Sequence, residues 1–112
     1  MAHKDYVYPL VLSSVNTNGI AIDTMTPFDA AGIEEDVFMI RITNDSDTTV
    51  YISFNGTDDH ECVPDGETIE VNFQANASPP NYKAMLKKGT VLYVNGNPGT
   101  GLVYLAGYYN GR

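Results

Sequence analysis

VFMIRITNDSDTTVYISF, residues 37–54, is the stretch whose reading decides the fold. Phe38, Ile40 and Ile42 fall on one side of a first extended segment, and Val50, Ile52 and Phe54 fall on one side of a second. Between them, Asn44-Asp45-Ser46-Asp47-Thr48 supplies short polar side chains that hydrogen-bond their own backbone and tolerate left-handed conformations. The stretch reads as an antiparallel hairpin with one buried face, about which the remaining chain folds.

Moving toward the C-terminus, Asn55 to Glu61 (NGTDDHE) is a polar loop, and Pro64-Asp65-Gly66 is a turn in which Pro64 presets one dihedral and Gly66 accepts a positive one. Thr68 to Phe73 alternates as a strand with Ile69, Val71 and Phe73 inward. Residues 74–88 form an irregular crossing, because Pro79-Pro80 excludes helix and central strand; one short helical turn fits Tyr82 to Lys88. Gly89 to Val94 reads as a strand, Asn95 to Gly101 as a glycine-rich hairpin turn, and Leu102 to Tyr109 as a closing strand apolar on both faces.

Toward the N-terminus, residues 1–5 are polar and expected to be frayed. Tyr6 to Val15 has strand composition, with Pro9 marking an edge strand or a strand start. Asn16 to Gly19 is turn chemistry, and Ile20 to Thr24 reads as a return strand. Thr26, Pro27 and Gly32 have the spacing of a short helix, with a solvated loop as the alternative. About seven strands with little helix specify an all-β single domain over residues 1–112, an antiparallel β-sandwich of jelly-roll or immunoglobulin-like type.

The chain has 112 residues, enough to bury one core without disulfides or a structural metal. No apolar run approaches the roughly 20 residues needed to span a bilayer, and MAHKDYVYP lacks an apolar signal core, so a soluble, unsecreted protein with no membrane partner is expected. Cys62 stands alone and reads as a small buried filler. A net charge of −8 argues against nucleic acid as a partner, since phosphate binding needs clustered cations. All 14 acids lie within residues 1–70, where only Lys4 and Arg41 oppose them, a net of −12; residues 71–112 carry +4. Either the fold keeps these parts on separate surfaces, so that copies meet acidic face to basic face, or interleaved strands mix the charges.

Candidate chemistry is sparse. Asp58-Asp59-His60-Glu61 is the densest cluster of oxygen and nitrogen ligands, yet it lacks the EF-hand spacing and enough nitrogen or sulfur for zinc, so no metal is expected. Gly96 to Gly101 lacks the Lys-Ser/Thr ending of a phosphate cradle and precedes a strand, so no nucleotide or other cofactor is expected. Cys62 with His60 has no third orienting group, and no pair of carboxylates flanks an evident cleft; no enzyme is expected. Asn44-Asp45-Ser46, Asn55-Gly56-Thr57 and Asn76-Ala77-Ser78 match the glycosylation acceptor pattern but read as turns.

Contact chemistry is richer, because eight tyrosines combine apolar rings with polar tips. Tyr51, Tyr108 and Tyr109 are the candidates for subunit or partner contact, with Tyr51 on the strand face opposite Ile52. Lys83, Lys87 and Lys88 form a candidate basic patch for an acidic partner.

The segment ITNDSDTTVYISFNGTDDHECVPDGETIEVNFQAN, followed by KKGTVLYVNGNPGTGLVYLAGYY, resembles small β-rich virion proteins of tailed bacteriophages over roughly residues 40–109. The resemblance rests on the Asn-Asp-Ser turn before a strand, the Ile-Ser-Phe-Asn-Gly-Thr-Asp-Asp-His segment, and a Lys-Gly-Thr strand joined through Gly-Thr-Gly to a tyrosine-rich strand. It implies a virion structural protein, assembled in the host cytoplasm, that contacts itself as a homo-oligomer and other virion proteins. The roles implied are capsid decoration or cement, or a head-tail component in neck, tail or fibre. The alternative is a receptor- or carbohydrate-binding module on the virion surface, where aromatic rings stack on sugars. No site residue carries over from the resemblance.

Overall fold

Two antiparallel sheets pack face to face, and the chain changes sheet at almost every connection. The computed structural model describes residues 6–73 and 85–111. The strands are β1 (Tyr6–Pro9), β2 (Ser13–Asn16), β3 (Thr26–Pro27), β4 (Met39–Ser46), β5 (Val50–Ser53), β6 (Glu61–Val63), β7 (Thr68–Asn72), β8 (Tyr93–Asn95) and β9 (Gly101–Gly111). One sheet runs β1-β9-β4-β7 with β2 also on β9; the other runs β3-β8-β5-β6. Ile40 and Ile42 of the first face Val50, Ile52, Val63 and Val94 of the second in one buried cluster that Phe28, Ile33, Val37 and Leu92 extend. The sandwich expected from alternation is present, with nine strands among the described residues.

The central stretch is not a hairpin. β4 pairs with β7 and β9, whereas β5 pairs with β6 and β8, so residues 47–49 carry the chain from one sheet to the other. Three extended residues at about 3.3 Å each just cover the ~10 Å between packed sheets. The same holds for Gly96 to Thr100, which links β8 in one sheet to β9 in the other and so is a crossing too. The hub of the fold is β9 rather than residues 37–54: it pairs Gly101–Tyr108 with β4 on one side, and its other side pairs with β1 and β2. Its inward set is Val103, Leu105 and Gly107, while Leu102, Tyr104, Ala106 and Tyr108 are half-buried, so one face is core and the other is partly covered.

The N-terminal strand breaks where Pro9 lacks an N–H. Pro9 pairs with Tyr108 and Ser13 with Leu105, leaving residues 10, 11 and 12 opposite only residues 106 and 107. That is a bulge of one extra residue. Leu10 donates its N–H to the Gly107 carbonyl at 2.8 Å and lays its side chain over Gly107, where a Cβ would meet Leu10 Cδ1 at 2.7 Å. With Leu10 tucked in, Val11 and Leu12 turn outward.

Three further expectations fail. Ile20 to Thr24 is no strand; a single 3-10 turn over Thr17–Gly19 buries Thr17, and Asp23, at φ +61°, closes a tight turn bridged Ala21 to Thr24. The Thr26 to Gly32 segment is not helical: Thr26 and Pro27 pair with Val94 and Tyr93, and Phe28 is pulled into the core. Met85 to Lys88 is not helical either, since Leu86 bridges Val37; the remainder of the crossing, residues 74–84, lies outside the described residues, as do residues 1–5.

Candidate contact surfaces

The polar loops are built for rigidity first. Asn44 lies at the inward phase of β4 after Ile40 and Ile42 and is fully buried. Its Nδ2 donates to the carbonyls of Thr48 at 2.8 Å, Val63 at 2.9 Å and Pro64 at 3.2 Å, and its Oδ1 accepts from Ser46 Oγ. One amide therefore ties β4 to β6 in the opposite sheet and fixes the turn between β4 and β5. The second crossing locks onto the first. Asp47 N–H donates to Thr100 O, Thr100 N–H to Asp47 Oδ1, and Thr48 Oγ1 to Asn97 O. Thr17 Oγ1 donates to Gly101 O while Gly99 N–H donates to Thr17 O, which ties the 3-10 turn to the same end. A buried Asn44 carries no glycan, so that acceptor pattern is structural.

The acidic loop is likewise held from within. Asn55 Oδ1 accepts from the N–H of Thr57 and Asp58, its amide donates to Asp58 Oδ2, Phe54 N–H donates to His60 Nδ1 at 3.0 Å, and Asn95 Nδ2 donates to Asp59 Oδ1 at 2.6 Å. In the cluster that suggested metal ligands, Asp58 and Asp59 each give one oxygen and His60 one nitrogen to these bonds, and among the described residues no group of three His, Cys, Asp or Glu converges.

The candidate contact residues do not come together. Tyr51 is half-buried on the outward side of β5, beside Cys62 and Asn95 in the ladders. Tyr108 lies on the outer face of the other sheet, 5.8 Å from the Arg41 guanidinium. Arg41 is itself bound to Glu70 at 2.9 Å; that hydrogen bond, with Tyr108 adding to it, pushes the arginine pKa further up, so it stays charged throughout. Tyr109 points the other way, stacking on Tyr8 at 5.6 Å between centroids and packing on the margin of the core. Lys87 and Lys88 occupy an exposed turn where Lys88 N–H donates to Asp36 Oδ1 at 2.7 Å. Lys83 lies outside the described residues. Since β9 lies between β4 and the N-terminal strands, and β8 between β3 and β5, the acidic and basic parts of the chain interleave.

Sequence reasoning missed the bulge. Val7 is 59% exposed, Val11 73% and Leu12 58%. Val11 borders a mainly apolar recess between the sheets, lined by Leu10, Phe28, Ile33, Leu92 and Leu105 with Asp29 and Glu34 also in its wall. The cue was an unbroken apolar run, Tyr6 to Leu12, that an edge strand cannot cover on both faces.

Cys62 contradicts its expected burial. Val63 takes the inward position of β6, so Cys62 points outward from an edge strand and is exposed. A thiol reagent is expected to label Cys62 in the native protein, and Cys62→Ser to change stability by no more than about 0.5 kcal/mol. Labelling that needs denaturant would contradict this placement. The chain matches no protein-family model and no curated protein.

Proposed function

We propose that this chain is a structural protein of a bacteriophage virion, acting through contacts with copies of itself and with other virion proteins. Capsid decoration or cement, or a place in the neck or tail, are the roles that fit, with assembly in the host cytoplasm. The observation that carries the reading is the bulge after Pro9, which holds Val11 and Leu12 out in solvent beside an apolar recess. Exposed apolar side chains grouped in this way mark interaction sites more often than they mark catalysis. The sequence resemblance over residues 40–109 supplies the virion context. A rigid sandwich with two interlocked crossings suits a part used in many copies.

Val11→Asp with Leu12→Asp tests it, because both side chains are exposed and the fold does not depend on them. Melting and circular dichroism are expected to match the parent, while light scattering across a concentration series loses the oligomer and particles no longer take up the variant. A parent chain that stays monomeric and binds no particle would sink the proposal. The carbohydrate-binding alternative rests on Tyr51, whose half-buried ring lies on an outward sheet face. Saturable, sugar-specific binding on a glycan array that Tyr51→Ala abolishes would favour it.

A further inference from the structure

Four Asn-Gly steps occur in the chain: Asn18-Gly19, Asn55-Gly56, Asn95-Gly96 and Asn110-Gly111. Glycine after asparagine is the sequence most open to deamidation, because without a Cβ the following backbone nitrogen can reach the side-chain carbonyl. The four steps sit in very different surroundings. We infer that Asn18-Gly19 is a modification site, the step at which the folded protein deamidates on its own, and that the other three are protected by the fold.

The chemistry needs three things: a Gly N–H that is easily released, a side chain free to rotate, and water. The Gly19 nitrogen gives up its proton to solvent base and attacks Asn18 Cγ. A C–N bond forms, the bond from Cγ to the amide nitrogen breaks, and ammonia leaves. Water then opens the resulting succinimide at either carbonyl, giving aspartate or isoaspartate. No oxidant or reductant takes part.

At Asn55, the amide donates to Asp58 Oδ2, the oxygen accepts two backbone N–H groups, and the Gly56 N–H is bound to Ser53 Oγ at 2.9 Å. Asn95 is 1% exposed and its amide is held by Asp59. Asn110 and Gly111 are held in the β1–β9 ladder opposite Val7 and Tyr6. Asn18, by contrast, is exposed, and among the described residues its side chain has no hydrogen bond; the Gly19 N–H is engaged only within the short 3-10 turn. The turn does hold Asn18 near helical dihedrals, which the attack must leave. That turn is a single residue triplet whose closing bond, Ile20 N–H to Thr17 O, is long at 3.4 Å, so opening it is easy.

The location gives the modification a consequence. Thr17 and Ile20, on either side, are buried at 0% and 2%. Isoaspartate adds a backbone carbon between these anchors, and either product adds a negative charge beside the interlocked crossings. Thr17 is the residue that bonds to Gly99 and Gly101.

Peptide mapping by mass spectrometry, on the full chain aged in warm, mildly alkaline buffer, tests the assignment through the mass gain of an NH2-to-OH exchange. Asn18 is expected to convert first and several-fold faster than the other three in the folded protein, while in urea the four rates draw together. Gly19→Ala supplies an independent check: a Cβ there meets nothing within 4 Å, so the fold accepts it, and conversion at Asn18 should slow several-fold. Faster conversion at Asn55, Asn95 or Asn110 in the native state, equal rates at all four, or no slowing in Gly19→Ala would overturn the inference.

Discussion

Replacing Asn44 with alanine is expected to lower the free energy of unfolding by about 3–5 kcal/mol, the largest effect of any polar substitution in the described residues. Asn44 is 0% exposed, and from β4 its Nδ2 serves carbonyls of the crossing at Thr48, of Val63 in the opposite sheet and of Pro64 after it. Alanine removes all four side-chain bonds of Asn44, each worth roughly 0.5–1.5 kcal/mol, although the Thr48 carbonyl keeps the Ser46 hydroxyl and the Pro64 carbonyl keeps the Glu67 N–H. Asn44→Asp should be at least as damaging, because it turns an oxygen toward three carbonyl oxygens. Urea titration reads the effect as a lower midpoint with an unchanged slope. A loss under about 1 kcal/mol would mean that solvent or a rearranged turn replaces the amide.

Gly101→Ala is the second large effect, at about 2–5 kcal/mol, the sum of backbone strain and steric overlap. Gly101 opens β9 at φ +131°, and a Cβ there would run into the Asp45 carbonyl oxygen and press on Ser46 Cα at 2.6 Å. The obstacles are backbone atoms of β4, so no side-chain rotation relieves them. Because the Gly101 carbonyl also accepts from Thr17 Oγ1, the shift would propagate to the 3-10 turn. Gly66→Ala is the control. Gly66 has φ +75° but open space around it, so only the left-handed penalty of roughly 1–2 kcal/mol applies. Equal losses at the two glycines would show that backbone conformation, and not the close approach of the β4 backbone, sets the requirement at Gly101.

Both predictions concern the end of the sandwich where the two crossings meet, and there the sequence pattern is least informative. Asn44 has the composition of a turn residue, although it continues the inward phase of Ile40 and Ile42. A polar residue at a core phase had to find buried partners, and that was the available sign that this turn does more than reverse a strand. Gly96, Gly99 and Gly101 likewise have the pattern of hairpin punctuation. A Cβ at Gly99 would meet Asp47 Oδ1 at 2.5 Å and one at Gly96 would meet Thr49 O at 2.8 Å, so these glycines record two chain crossings in contact. Among the contact candidates, the outward placement of Tyr51 opposite a buried Ile52 was legible from alternation alone. The exposure of Val11 and Leu12 was not, because a bulge is a mismatch between two strands some ninety residues apart in sequence.

Period-two alternation by itself determined that the protein is all-β and which side of β4, β5 and β7 is apolar, since side-chain direction along a strand is a local property of the pleat. What each strand pairs with was decided only in the tertiary structure. A hairpin and a crossing between sheets present the same alternating pattern: Ile40 and Val50 point into one apolar layer whether their strands lie side by side or face each other. The difference lies in where backbone N–H and C=O groups find partners, and for β9 those are residues 6–16 and 39–46, far away along the chain.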